Sequence, residues 1–139
     1  MEVHQQYPRA ALEAFSTHLA SHTSSGKPFR FLLTSGAAAV KNQSIWLPPG
    51  LNLLQKRGKM ELEFTEYAAE HADSWQSFVA RPAMVLKPGV SSWLPAGMKI
   101  RVEVLGAAMV DAVVNGWEVQ TKGNGSLNLR GEEALKLLK

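Results

Sequence analysis

His18 and His22 stand four residues apart, a spacing that puts two imidazoles on one helix face within reach of one ion. The intervening Leu19-Ala20-Ser21 lacks the Glu that zinc peptidases place after the first His as general base. A third ligand would have to come from Glu70, His71 or Asp73, and no local spacing brings these close. No metal site is therefore expected. Glu61 and Glu63 form a second titratable pair, but they alternate with Met60, Leu62 and Phe64. Such alternation reads as a half-buried strand whose carboxylates face solvent. The chain has no cysteine, hence no thiol nucleophile, disulfide or thiolate metal site. It also lacks a G-x-S-x-G elbow, a Walker loop and a G-x-G-x-x-G turn. Gly123-Asn124-Gly125 reads as a hairpin turn into a strand at 126–129 rather than a phosphate cradle. The expectation is a protein that is not an enzyme and holds no cofactor.

The remaining chemistry is cationic and aromatic. Lys56, Arg57 and Lys59 crowd a predicted hairpin tip between strands at 51–54 and 60–64. Lys99 and Arg101 share the polar face of a predicted strand whose other face carries Ile100, Val102 and Val104. With Trp46 and Trp93 these residues make the candidate binding set. Cations beside exposed aromatics bind single-stranded nucleic acid by neutralising phosphates and stacking bases. The competing reading places both tryptophans in the core, because Trp beside Leu in a strand usually packs inward.

A repeat organises these residues. Ser44 to Leu53 and Ser91 to Ile100 share S-x-W-L-P-x-G followed by an apolar, polar, apolar triplet. A Leu before Pro is driven to extended geometry, so Leu47 and Leu94 should end strands. Pro49-Gly50 fits the centre of a type II turn, and Ala96-Gly97 fits the same frame. A strand should begin directly after each Gly. The match extends to Ala37–Lys41 and Ala83–Lys87 with one gap, so two repeat units, about 8–65 and 66–122, are a candidate division of one domain over 1–139.

Around the repeat, Leu12, Phe15 and Leu19 mark a helix from Pro8 to His22, stopped by Ser24-Ser25-Gly26. Phe29 to Leu33 reads as a strand. Glu66 to Ala80 reads as a second helix, with Asp73 and Gln76 as a capping box. Ala112 to Val114 and Trp117 to Lys122 read as strands, and Glu132 to Leu138 as a short terminal helix after Gly131. The fold class expected is α+β, with a mostly antiparallel sheet or small partly closed β-barrel.

The 139 residues suffice for one core. The net charge of +3 permits nucleic-acid or acidic partners without requiring them. The first residues show no signal peptide, no apolar run approaches a bilayer span, and the missing cysteines fit a reducing compartment. A cytoplasmic protein without membrane insertion is expected. The leading function is a non-enzymatic binding or assembly module acting through protein–protein contacts, with a protein partner or self-association. The alternative is single-stranded DNA or RNA binding.

Overall fold

The computed structural model of the chain describes residues 3–19 and 26–137. In chain order the elements are α1 (Val3–His18), β1 (Phe29–Thr34), α2 (Asn52–Glu70), β2 (Trp75–Arg81), β3 (Met84–Leu86), a 3-10 turn (Ala96–Met98), β4 (Lys99–Arg101), α3 (Val102–Asn115), β5 (Thr121–Gly123) and α4 (Asn124–Leu137). The class is α+β. The strands are parallel and the sheet is open, with order β1-β2-β5 beside a separate β3-β4 pair. The expected antiparallel sheet or barrel is thereby corrected. Parallel strands need long crossovers, usually helical. Such crossovers exist here because segments that alternate like strands fold as helices.

By its contacts the chain divides into two units, one of residues 1–33 and 39–77, the other of residues 34–38 and 78–139. In the first unit the core is aromatic. Phe64 is fully buried and Trp75 nearly so. Phe31 lies 4.9 Å from Phe64 and 5.7 Å from Trp75, Phe29 lies 4.8 Å from Trp75, and Tyr67 meets Trp75 edge-on at 5.3 Å. The buried indole N–H of Trp75 donates to Ser77 Oγ at 2.8 Å, so its polar end is satisfied. Phe15 of α1 reaches both Phe29 and Phe31. On the outside, Arg9 of α1 forks onto the Glu63 carboxylate of α2, with Nη2 2.6 Å from Oε1.

α2 replaces both the predicted hairpin and the start of the predicted second helix. The buried residues Gly58, Met60, Glu61, Phe64 and Ala68 fall at spacings of three and four. Met60 and Phe64 satisfied period two and period 3.6 alike. The favourable helix propensity of Gln, Lys, Arg, Met, Glu and Leu then decides the local preference. Gly58 is no turn residue: a Cβ there would lie 1.8 Å from the Val40 carbonyl oxygen, because the loop before α2 runs across the helix at that point. Val40 N–H donates to Leu54 O at 2.9 Å in the same crossing. Glu61, expected in solvent, is fully buried, with Lys41 Nζ 3.8 Å from its carboxylate. Helical geometry, unlike the strand alternation, puts Glu61 on the face of Phe64 and Ala68.

The predicted helix to Ala80 ends at Glu70, and the chain re-enters as β2. Asp73 and Gln76 therefore form no capping box. Phe78, Val79 and Ala80 are all buried in succession, the uninterrupted run that a central parallel strand shows. Val79, Ala80 and Arg81 pair with Thr121, Lys122 and Gly123 of β5.

In the second unit, β3 and β4 pair Met84 with Lys99 and Leu86 with Arg101. The predicted strand at 99–104 stops at Arg101, and α3 begins with Val102. Ala112 to Val114 lie in α3, not in a strand, and Gly116 ends that helix at φ 81° with its N–H on Ala112 O. The predicted hairpin at Gly123-Asn124-Gly125 is the start of α4, which also absorbs the predicted strand at 126–129 and the short terminal helix. Helices α3 and α4 approach closely, since a Cβ at Gly131 would sit 2.0 Å from Val104 O. Ala108, Ala112 and Leu127 are fully buried. Asn124 is the fastener at the head of α4. Its Oδ1 accepts from Ala83 N–H at 2.9 Å, and its Nδ2 donates to Gly97 O and Lys99 O, each at 3.0 Å.

β1 follows the sequence reading with one residue added. α1 starts earlier than predicted, so Pro8 lies inside the helix. The predicted continuation to His22, the stop at Ser24-Ser25 and Leu138 fall outside the described residues. No helix among the described residues is long and apolar enough to cross a membrane.

Candidate binding surface at two tryptophan loops

The two copies of S-x-W-L-P-x-G fold differently, and neither contains a strand at Trp-Leu. In the first copy, Leu51 N–H donates to Pro48 O at 3.1 Å and Gly50 has φ 93°. That is the expected type II turn centred on Pro49-Gly50. A helix, rather than a strand, follows it. In the second copy Met98 N–H donates to Pro95 O at 2.9 Å in the same register, but Ala96–Met98 is a 3-10 turn and Gly97 has no positive φ. The positive φ of that loop belongs to Gly89, after Pro88, where Val90 N–H donates to Lys87 O. Pro-Gly thus makes the type II turn in both loops, while Ala-Gly does not.

Both tryptophans stand in solvent. Trp46 is 79% exposed and Trp93 is 91% exposed, which overturns the reading that placed them in the core. The core tryptophans are Trp75 and Trp117. Yet neither exposed ring sits on slack chain. Before Trp46, Gln55 Nε2 of α2 donates to Ile45 O at 2.6 Å, and Gln43 Nε2 donates back to Gln55 O at 3.1 Å. Before Trp93, Lys99 Nζ of β4 donates to Ser92 O at 2.7 Å, and Ser92 Oγ accepts from Leu94 N–H at 3.2 Å. Each indole is held out by backbone that its own unit ties down.

The cations are redistributed. Lys56, Arg57 and Lys59 do not crowd a hairpin tip; they lie on the second and third turns of α2, after the Trp46 loop. Lys99 and Arg101 end up on β4, after the Trp93 loop, and Lys99 spends its ammonium on Ser92. The seven candidate residues therefore form two sets, Trp46 with Lys56, Arg57 and Lys59 in the first unit, and Trp93 with Lys99 and Arg101 in the second. His18 ends α1 on the surface, and His22, its expected companion, lies outside the described residues.

Beside Trp93 the second unit holds a surface cavity of about 330 Å³. Leu86 and Ile100 of β3 and β4, both buried, and Val90 of the loop supply its apolar part. Ser92, Arg101 and Glu132 also line it, and the two charged residues are exposed at its edge. Among the described residues neither Arg101 nor Glu132 has an ion-pair partner. Sequence reasoning missed Leu86, Val90 and Glu132, because the cavity joins two strands, a loop and α4 across more than forty residues.

The electrostatics elsewhere serve packing. Asp111 of α3 is held below the usual carboxylate range. Burial pushes it up, but hydrogen bonds from Asn115 and Arg130 and the Arg130 charge outweigh that effect. Arg130 Nε lies 2.6 Å from Asp111 Oδ2, joining α3 to α4.

The architecture defines a small α+β chain with an open parallel sheet and two projecting tryptophan loops. Comparison with protein families, with characterised proteins and with solved structures finds no match.

Proposed function

We propose that the chain is a non-enzymatic binding module that works through protein–protein contacts, using the Trp46 and Trp93 loops as anchors. The observation that carries the reading is the exposure of Trp93, with Trp46 beside it in kind, on loops fixed by side-chain hydrogen bonds. A Trp left in water forgoes a burial worth several kcal/mol at about 25 cal/mol per Å². A folded chain that ties down the flanking backbone rather than letting the ring turn inward has set it for a partner. Trp is the residue most enriched at interface hot spots, and prior ordering of its loop lowers the entropy cost of binding. The partner is another protein or a second copy of the chain. The absence of cysteine suits a reducing compartment, and we place its work in the cytoplasm.

The test is recovery of native partners on immobilised wild-type, Trp46→Ala and Trp93→Ala chains, with melting followed in parallel. Loss of a partner with unchanged melting supports the reading, at about 2 kcal/mol or more per hot-spot Trp. Equal recovery by all three chains refutes it.

A second reading is favoured by the cations that follow each loop, Lys56, Arg57 and Lys59 in one and Lys99 and Arg101 in the other. Exposed indoles beside cations suit single-stranded DNA or RNA. Binding of a labelled single-stranded oligonucleotide that weakens steeply with salt, and that is lost on Lys56→Glu with Arg57→Glu, supports this reading; no binding at low salt removes it.

A further inference from the structure

We propose that the cavity beside Trp93 is a socket for the Trp93 indole of a second copy of this chain, so that two chains exchange tryptophans across a two-fold axis. The inference rests on the protein-contact reading above and names the partner. Three observations meet here. Trp93 is 91% exposed and follows Ser92, which lines the cavity, yet does not line the cavity itself. A two-fold interface is built from one patch used twice, so an anchor and a socket must lie side by side on the same surface. The sequence places them at adjacent residues.

The size fits. A cavity of about 150 Å³ holds benzene, and about 330 Å³ leaves room for the two-ring indole. The lining fits as well: Leu86, Val90 and Ile100 supply an apolar bed, and Ser92 and Glu132 carry polar groups that a ring N–H can meet.

The charges of the rim give the geometry its register. Arg101 and Glu132 both edge the cavity, and among the described residues neither has an ion-pair partner. Opposite charges on one patch are self-complementary under a two-fold: Arg101 of one chain faces Glu132 of the other, and the reverse pair forms with it. Lys99 is already committed to Ser92 O at 2.7 Å, which keeps Ser92 in place without adding a third free charge. Two inserted tryptophans and their sockets bury on the order of 800 Å², below the roughly 1,200 Å² of stable interfaces. The dimer is accordingly a reversible one, with a dissociation constant on the order of micromolar.

Sedimentation equilibrium on the full chain, from about 1 to 200 µM, tests the proposal, with Tm recorded for each variant. The wild type is expected to dimerise. Trp93→Ala, Arg101→Glu and Glu132→Arg should each weaken dimerisation at least about tenfold with Tm unchanged. The double reversal Arg101→Glu/Glu132→Arg should restore it to within about threefold of wild type. Restoration separates a facing pair from two independent losses. A wild type that stays monomeric throughout overturns the proposal, as does a dimer indifferent to Trp93→Ala or a double reversal that fails to recover. If the chain is monomeric but Trp93→Ala still loses another protein in the recovery experiment, the exchange is refuted while the broader protein-contact reading stands. If neither happens, both fail.

Discussion

Replacing Gly58 by Ala pits two effects of known size against each other. In an exposed helix interior Ala is more favourable than Gly by about 1 kcal/mol. At Gly58, however, the new Cβ would lie 1.8 Å from the Val40 carbonyl oxygen, 2.2 Å from its carbon and 2.7 Å from Lys41 N. These are backbone atoms, so no side-chain rotation clears them. The loop must lift from α2, which strains the bond from Val40 N–H to Leu54 O. Overpacking of this kind costs about 1–3 kcal/mol, and the rigidity of the obstacle favours the upper end. Net destabilisation of about 2 kcal/mol is expected after the propensity gain is subtracted. Gly131→Ala should behave alike, since its Cβ would meet Val104 O at 2.0 Å. Gly106→Ala is the control: it is helical, with nothing within 4 Å of the added methyl, and should stabilise by about 1 kcal/mol. Urea denaturation of the three variants reads the difference directly. A Gly58→Ala chain as stable as Gly106→Ala would show that the loop does not cross α2 there.

Trp75→Ala should cost about 3–5 kcal/mol by opening the aromatic core and orphaning Ser77 Oγ, whereas Trp46→Ala and Trp93→Ala should each change stability by less than about 0.5 kcal/mol; thermal denaturation checks all three, and a large loss at Trp93 would return it to the core. Asn124→Ala leaves Ala83 N–H and Gly97 O without this partner, and Lys99 O with only the Asn128 amide, and should cost about 2 kcal/mol, while Asn124→Asp, which turns an acceptor toward two carbonyl oxygens, should be worse in the same urea experiment. Because the folded state lowers the pKa of Asp111, its contribution is present above the ordinary carboxylate value, about pH 4, and is lost as pH falls through the lowered one. Wild type should therefore exceed Asp111→Asn in stability at pH 7, with the gap closing below about pH 4; a gap independent of pH refutes the role given to the charge.

Local rules succeeded where one residue dictates its own geometry. Pro49-Gly50 makes the predicted type II turn because Pro fixes one dihedral and Gly alone tolerates the other. Phe29 to Leu33 is a strand because aromatic and apolar residues, broken only by Arg30, stand between turn signals. The failures share a cause. Met60-Glu61-Leu62-Glu63-Phe64 fits period two and also contains the i, i+4 pair of a helix. Val102 to Val114 is apolar enough to match either period. In both places the helix forms, and each helix then spans between parallel strands. The strand alternation that suggested an antiparallel sheet was a by-product of helical faces.

The sequence by itself determined the α+β class, the turn at Pro49-Gly50 and the absence of cysteine chemistry, since each follows from residue identity or from contacts a few positions apart. Only the tertiary structure decided which tryptophans are buried. Trp75 and Trp117 go inside because β2 and the α3–β5 connection meet aromatic or helical partners distant in sequence, while Trp46 and Trp93 stay out on loops whose hydrogen bonds face inward and whose rings do not. The cavity beside Trp93 has the same origin: Leu86, Ile100 and Glu132 acquire a common surface only when β3, β4 and α4 come together, and no local spacing encodes that meeting.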